Sequence, residues 1–511
     1  MSVRASARAV ARYGSWASPI GAGQVAAASL RLGQIGLAGN TICWTEGRPQ
    51  EHGRNVLVHA DAEGVAHDLT APPWNVRSRV HEYGGGAFAI GAGELFFSHF
   101  DDQRIYRLGA SGVPVALTAS AGMRYADAVL DPSRARLIAV REDHAAGTRE
   151  PTNALVAIDL QSGSERLLAG GHDFVASPCP SPDGTRLAWL TWDHPDMPWD
   201  GTELWLADFA ADGTLAAAAR KVAGGRTESI FQPAWSPNGE LHFVSDRSGW
   251  WNLYRERGTR IEALCPMAAE FGEPQWLFGM STYGFDGSGR IVCTYVADGL
   301  SHLAVLDPAT AALRRIETAY TSIRDLEVGT DFVAFFGASP TAPEALIRLD
   351  LASERALVVR RGAQAPADPA RVSRAEAIVY PGAGGGEAHA FYYAPRNDAF
   401  EGPAGELPPL LVIDHGGPTG ATDCAFRWSI QFWTERGFAI VDVDYGGSTG
   451  HGRAYRERLK GQWGIVDVED SIGAARFLVQ RGDVDPARIA IRGASAGGYT
   501  TLAALTFHDF F

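Results

Sequence analysis

No stretch of this chain is apolar enough to cross a bilayer as a helix. A spanning helix needs about 20 consecutive apolar residues, and the most apolar stretches, Leu410 to Ile413 and Phe438 to Val443, are far shorter. Basic charge is also scarce. The formal net charge is −14, spread along the chain with no basic stripe, so there is no surface on which counterion release from a nucleic acid could drive binding. Cysteine is rare and unpaired in pattern: Cys43, Cys179, Cys265, Cys293 and Cys424 are odd in number, widely separated and form no CxxC. That usage suits reduced, mostly buried thiols of a cytoplasmic protein, and argues against a disulfide framework or a zinc site. No metal-ligand spacing occurs, and the glycine-rich run "GAGGGE" before Ala388 joins two strand patterns instead of opening a helix. A dinucleotide reading therefore fails and no cofactor is expected. Acids are missing from the first 45 residues, which carry Arg4, Arg8, Arg12 and Arg31. This superficially resembles a transit peptide, but no apolar signal core follows, and an untargeted, loosely ordered tail over residues 1–12 is the expectation.

With 511 residues the chain has room for two or three domains. Over its first two thirds, short apolar and β-branched runs recur, centred on Ile42, Leu95, Leu137, Leu187, Leu241, Ile291 and Val333, with gaps of 53, 42, 50, 54, 50 and 42 residues. A period of about 40 to 55 residues is that of four-stranded propeller blades, and seven runs imply a seven-bladed β-propeller over residues 13–360. Several runs follow turns of one type, "DPSRA", "SPDGT", "SPNGE" or "DGSGR", in which proline or aspartate begins the turn and glycine can take a positive φ. Stacked β-sandwiches are the alternative, but they do not repeat at near-constant spacing over 300 residues.

The grammar then changes. "RGAQAPADP" reads as the core of a linker over 361–372, and beyond it, over 373–511, strands alternate with helical patterns. A hairpin formed by "AEAIVYP" and "AHAFYYAP" precedes the buried strand "PLLVID", a helix over 425–436 ended by Gly437, the buried strand "FAIVDVD", a helix over 468–480, and the strand "RIAIRG". Apolar strands separated by helices predict a mostly parallel sheet covered on both faces, the first part of an α/β-hydrolase domain.

In this second region Gly493, Ser495 and Gly497 form GxSxG, the nucleophile-elbow pattern. The string alone is weak evidence. Here a buried strand precedes it and a helix-forming run, "GGYTTLAALTF", follows, which is the context the pattern requires. Acyl transfer also needs donors aimed at the developing oxyanion. The backbone N–H of Ala496, at the start of the helix, is one. Two loops compete to supply the second, "DHGGPTG" after Ile413 and "DYGGSTGHG" after Val443.

The ordered set of propeller, "HGGP", "DYGGSTGHG", "WGIVDVED" and "GASAGGY", with "YGSWASPI", "GRNVLVHAD" and "SRVHEYGGGAF" upstream, resembles the prolyl oligopeptidase family of serine peptidases, in its dipeptidyl-peptidase and acylaminoacyl-peptidase branch. The resemblance covers nearly the whole chain from Tyr13, which also speaks against a transit peptide. It implies a peptidase for short peptides or N-blocked aminoacyl substrates, with Ser495 as nucleophile and the hydroxyl of Tyr445 as second oxyanion donor. It further implies a triad aspartate and histidine on loops after later strands. Only His508 follows Ser495 in this sequence. Thirteen residues on, about 20 Å along a helix, it lies too far to act as base, and Asp509 fails alike. His389, His415 and His451 read as loop or hairpin residues, and Asp467, Glu469 and Asp470 as helix-start carboxylates favoured by the dipole. The expectation is therefore a C-terminally truncated chain whose serine is not activated. An esterase on the same fold, and a propeller binding protein with a vestigial hydrolase domain, stay open. Glu82 and Tyr83 of "HEYGGG" are candidates for holding a substrate amino terminus, with loop packing an equal reading.

Overall fold

Each of the seven apolar runs forms the second strand of a four-stranded antiparallel meander. The structure, a computed structural model, describes every residue except 1–7, 27–28, 62–63, 92, 110, 120–121, 146, 148–149 and 217. The meanders span 31–68, 88–116, 123–170, 174–225, 230–263, 283–316 and 322–361, and within each the strands pair in sequence order. This is the expected seven-bladed propeller. Second strands are buried along almost their whole length, as in Thr41–Arg48 and Phe332–Ser339, because a neighbouring blade covers each face. The turns behave as their composition dictates: in "SPDGT" the Asp183 carboxylate accepts from Thr185 N–H at 3.0 Å and Gly184 takes φ +67°.

The first strands pack against one another around the ring, and five of the seven carry a bulge at a residue with positive φ: Gln34, Asp127, Ser177, Gln232 and Asp325. A bulge leaves one residue outside its own ladder, and three of these side chains bind the next blade instead. Gln34 accepts from Ala87 N–H at 2.7 Å and donates to Phe88 O at 2.8 Å. Gln232 accepts from Thr282 N–H and donates to Tyr283 O, both at 2.8 Å. Asp127 accepts from Ser177 N–H at 2.7 Å. A carboxamide has the donor and acceptor of a peptide group, so each glutamine extends one blade's pairing into the next. First and last blades share no strand. They join through Leu32, Phe332 and Phe336 and through Arg360, which donates to the buried Glu46 at 2.7 Å.

The N-terminal segment belongs to the other domain, which corrects the expected boundaries. Residues 1–7 of the expected tail lie outside the described residues. Ala9–Val10 pairs in parallel with Phe400–Glu401, Gly14 N–H donates to Arg436 O at 3.0 Å, and Trp16 and Ile20 are buried. The propeller strands begin at Arg31, not near Tyr13. The aromatic side chains of "YGSW" decide this: Gly402 leaves room for the Tyr13 ring and Gly437 for the Trp16 ring.

The second domain holds a five-stranded sheet of β1 (Glu376–Pro381), β2 (Glu387–Tyr393), β3 (Leu410–Asp414), β4 (Ala439–Asp444) and β5 (Ile489–Gly493) in the order β1-β2-β4-β3-β5. β3 is parallel to both β4 and β5, and the β1–β2 hairpin joins β4 in antiparallel fashion. The sheet is thus mixed. Its helices are α1 (Trp428–Thr434), α2 (Arg453–Arg456), α3 (Val466–Arg481) and α4 (Ala496–Phe507). α1 is shorter than the expected 425–436 because Phe426 N–H donates to Ser339 O of the propeller at 2.8 Å and Arg427 is extended, its guanidinium bound to Asp442. No helix among the described residues is long and apolar enough to cross a membrane.

Candidate active site

Ser495 stands between β5 and α4 with φ +53° and ψ −120° and is exposed. A non-glycine residue in this region is strained, as at the sharp turn that lifts a nucleophile above a sheet. The flanking glycines are required by approach of backbone. A β-carbon on Gly493 would strike the backbone of Gly497, and one on Gly497 would strike the carbonyl oxygens of Asp414 and His415. Ala496 opens α4, so its N–H is among the donors a helix cannot satisfy itself.

The loop after β3, "HGGPTG", lies directly on this turn. A β-carbon on Gly416 would sit 3.4 Å from Ser495 Cβ and 3.2 Å from Ala494 O. The competing loop after β4 lies behind it. Tyr445 is fully buried, its ring stacked on that of His415 with centroids 4.4 Å apart, and its hydroxyl donates to His415 O at 3.0 Å. Burial, with nearby Asp414, raises its pKa and keeps it protonated. The role expected of Tyr445 as oxyanion donor finds no support in this geometry, since the hydroxyl is already committed to a carbonyl of the neighbouring loop. The signal was present in the sequence, where "DHGGPTG" was the other candidate loop.

None of the remaining candidates reaches the serine. No side chain among the described residues hydrogen-bonds Ser495 Oγ. His415 has both ring nitrogens occupied, Nδ1 at 2.8 Å from Gly416 O and Nε2 at 2.8 Å from Ser448 Oγ. His389 and His451 stack on each other at 3.9 Å, and burial pulls His389 down to about 4. His508 follows the far end of α4, in a cleft with Gly382 and Arg476. Asp467 and Asp470 are buried rather than simply placed at a helix start. Asp467 accepts from Gly464 N–H at 2.7 Å and Thr500 Oγ1 at 2.5 Å, and Asp470 from Gly446 N–H at 2.7 Å and Ala383 N–H at 2.6 Å. They tie α3 to the loops around the elbow. Among the described residues no three His, Cys, Asp or Glu side chains form a metal-binding group.

The propeller meets these loops through a connection that sequence reasoning passed over, residues 264–282. Trp276 Nε1 donates to Thr419 O at 2.6 Å, and Glu270 accepts from Gly452 N–H at 3.0 Å. Nearby, the buried Asp246 accepts from Arg453 at 2.7 Å and Arg456 at 2.6 Å. Charge-assisted bonds of this kind hold α2 and the loop after β4 against the propeller. Glu82 pairs with Arg124 at 3.1 Å, while the exposed Tyr83 meets Trp276 edge-on with centroids 5.3 Å apart.

The model of the prolyl oligopeptidase family matches residues 424–511. The structure of a puromycin-hydrolysing peptidase of Mycobacterium tuberculosis is similar over 99% of this chain and 80% of its own, with 42% identity and a TM-score of 0.92. A puromycin hydrolase structure is similar over 98% and 79%, with 38% identity and a TM-score of 0.92. Dipeptidyl aminopeptidase BIII of Pseudoxanthomonas mexicana is 35% identical over 107 residues, a segment spanning 21% of this chain and only 16% of that protein. On identity, coverage and shared architecture together, this chain belongs to the prolyl oligopeptidase family.

Proposed function

We propose that this protein is a serine peptidase that cleaves short peptides or N-blocked aminoacyl substrates through an acyl-enzyme on Ser495. The observation that carries the reading is the strained, exposed Ser495 in a turn whose glycines admit no side chain, with the "HGGPTG" loop against it and that loop bonded to the propeller. Ser495 Oγ attacks the scissile carbonyl carbon and gives up its proton to water while the carbonyl electron pair moves onto oxygen; collapse breaks the C–N bond, the amine leaves with a proton taken from water, and a second water hydrolyses the acyl-enzyme to free Ser495. The oxyanion is received by Ala496 N–H and by backbone N–H groups of the loop at Gly416, whose position against Ser495 Cβ favours it over Tyr445. The propeller, bound to both loops, limits access to small substrates. The names of the relatives, puromycin-hydrolysing peptidases and a dipeptidyl aminopeptidase, are consistent with this size class. Five free cysteines suit a cytoplasmic setting.

Among the described residues no side chain hydrogen-bonds Ser495 Oγ, and a serine without a base is a poor nucleophile, so slow turnover by this chain is the expected result. The test is labelling with a fluorophosphonate probe, the site mapped by mass spectrometry against a Ser495→Ala control. Slow modification confined to Ser495 is the expected result. Modification of other residues with Ser495 untouched would overturn the reading, and rapid turnover of aminoacyl anilides would overturn the claim of a serine left without a base.

A further inference from the structure

In the propeller, one hydrogen bond away from the "HGGPTG" loop, three segments distant in sequence converge on an aromatic cavity of about 140 Å³. Its walls are His81, Phe174, Trp192, Trp199, Trp276 and Phe278. Phe174 and Trp192 are register partners on adjacent strands and stack at 5.2 Å, nearly parallel. His81 meets Phe174 edge-on at 5.0 Å, and Trp199 packs on Trp276 at 4.4 Å. The His81 segment is held under strain at His81 and Glu82, which have positive φ, before the three glycines Gly84, Gly85 and Gly86 that take positive φ freely, with Gly86 N–H bonded to Phe278 O at 2.9 Å. Strain of this kind persists only where surrounding structure over-determines it, and it clusters at ligand clamps. One wall is also bonded to the loop at Ser495, since Trp276 Nε1 donates to Thr419 O of "HGGPTG".

The chemistry of the walls selects the occupant. The His81 ring is buried, and burial pulls it down to about 4 even with the Asn153 side chain beside it, so it is neutral at pH 7. The cavity then presents π faces and edges and one amide, Gln275, without a formal charge. Its volume is close to the roughly 150 Å³ in which an apolar cavity holds benzene, and offset or edge-to-face ring contacts favour an aromatic guest over an aliphatic one.

We propose that this cavity is a specificity pocket that receives an aromatic side chain of the substrate. The proposal rests on the peptidase reading for the identity of the substrate, but binding at the pocket needs no chemistry at Ser495.

The test uses the 511-residue chain carrying Ser495→Ala, titrated with L-phenylalaninamide, L-alaninamide and L-lysinamide and followed by tryptophan fluorescence and ligand-observed NMR. Phenylalaninamide is expected to bind about tenfold more tightly than alaninamide, the gain for burying one such side chain, with lysinamide no better than alaninamide. Met197 is 40% exposed at the rim, so Met197→Trp fills the mouth without disturbing the fold, and it should abolish the aromatic preference. Trp192→Ala should do the same from inside. Equal affinities for the three amides, a preference for the cation, or an aromatic preference that survives Met197→Trp would overturn the pocket. Failure of the peptidase reading is separate, showing as an aromatic preference that persists while Ser495 resists the fluorophosphonate.

Discussion

The hydroxyl of Tyr445 donates to the carbonyl of His415 at 3.0 Å, with the two rings stacked 4.4 Å apart. One glycine beyond that histidine, Gly416 lies against Ser495. Tyr445 is therefore a prop beneath the loop that roofs the nucleophile. Removing an oxyanion donor costs about 10²- to 10³-fold in rate. Tyr445→Phe is expected to change the rate of fluorophosphonate labelling of Ser495 by no more than about threefold, while lowering stability by about 1 kcal/mol through the lost hydrogen bond. A hundredfold loss of labelling with unchanged stability would restore Tyr445 to the oxyanion site.

The bulge glutamines predict how the ring of blades fails. Gln232→Ala leaves Thr282 N–H and Tyr283 O without their partner between the fifth and sixth blades. It should destabilise by about 1–3 kcal/mol in urea unfolding monitored by tryptophan fluorescence. Gln34→Ala should cost a similar amount between the first and second. Both side chains act at a distance from the elbow, so labelling of Ser495 in the folded fraction should be unchanged.

Asp414 ends β3 directly before the catalytic loop. Its Oδ1 accepts from Ser471 Oγ at 2.7 Å and its Oδ2 has no partner, and burial pushes its pKa up to about 8. The folded state thus holds a proton that the unfolded chain, with an ordinary carboxyl near 3.8, releases. This contribution favours folding below about pH 4 and is lost as pH rises toward about 8. Asp414→Asn replaces the carboxyl by a neutral group of the same shape. Its Tm should match the parent near pH 4 and exceed it at pH 9, and a variant less stable than the parent at pH 9 would contradict the account.

On α4 the face away from the sheet is apolar. Leu502, Leu505 and Phe507 are 66%, 53% and 78% exposed, beside β5 at the edge of the sheet. Exposed strand edges next to apolar surface promote association. The 511-residue chain should self-associate with concentration in light scattering, and Leu502→Lys with Phe507→Glu should shift it toward monomer.

The propeller was legible because its second strands are buried on both faces by adjacent blades and so read as continuous apolar runs, each led by a glycine or proline turn. Fourth strands such as Glu165–Gly170 and Ala356–Arg361 are largely exposed and carry no such signal. First strands are interrupted by bulges that no periodicity marks. The boundary near Tyr13 was misplaced for a related reason, since aromatic residues in a short segment specify that it is buried without specifying against which domain.

By itself, then, the sequence determined the blade count and the strand–turn–helix around Ser495, encoded in local periodicity and in glycines with local geometric duties, while its ordered motifs carried the resemblance to the family. Only the tertiary structure decided which loop covers the serine, what Tyr445 bonds, and that His81, Phe174, Trp192 and Trp276 share one cavity. Those residues are brought together by ring closure and domain docking, contacts between segments far apart along the chain, and no spacing within the sequence records them.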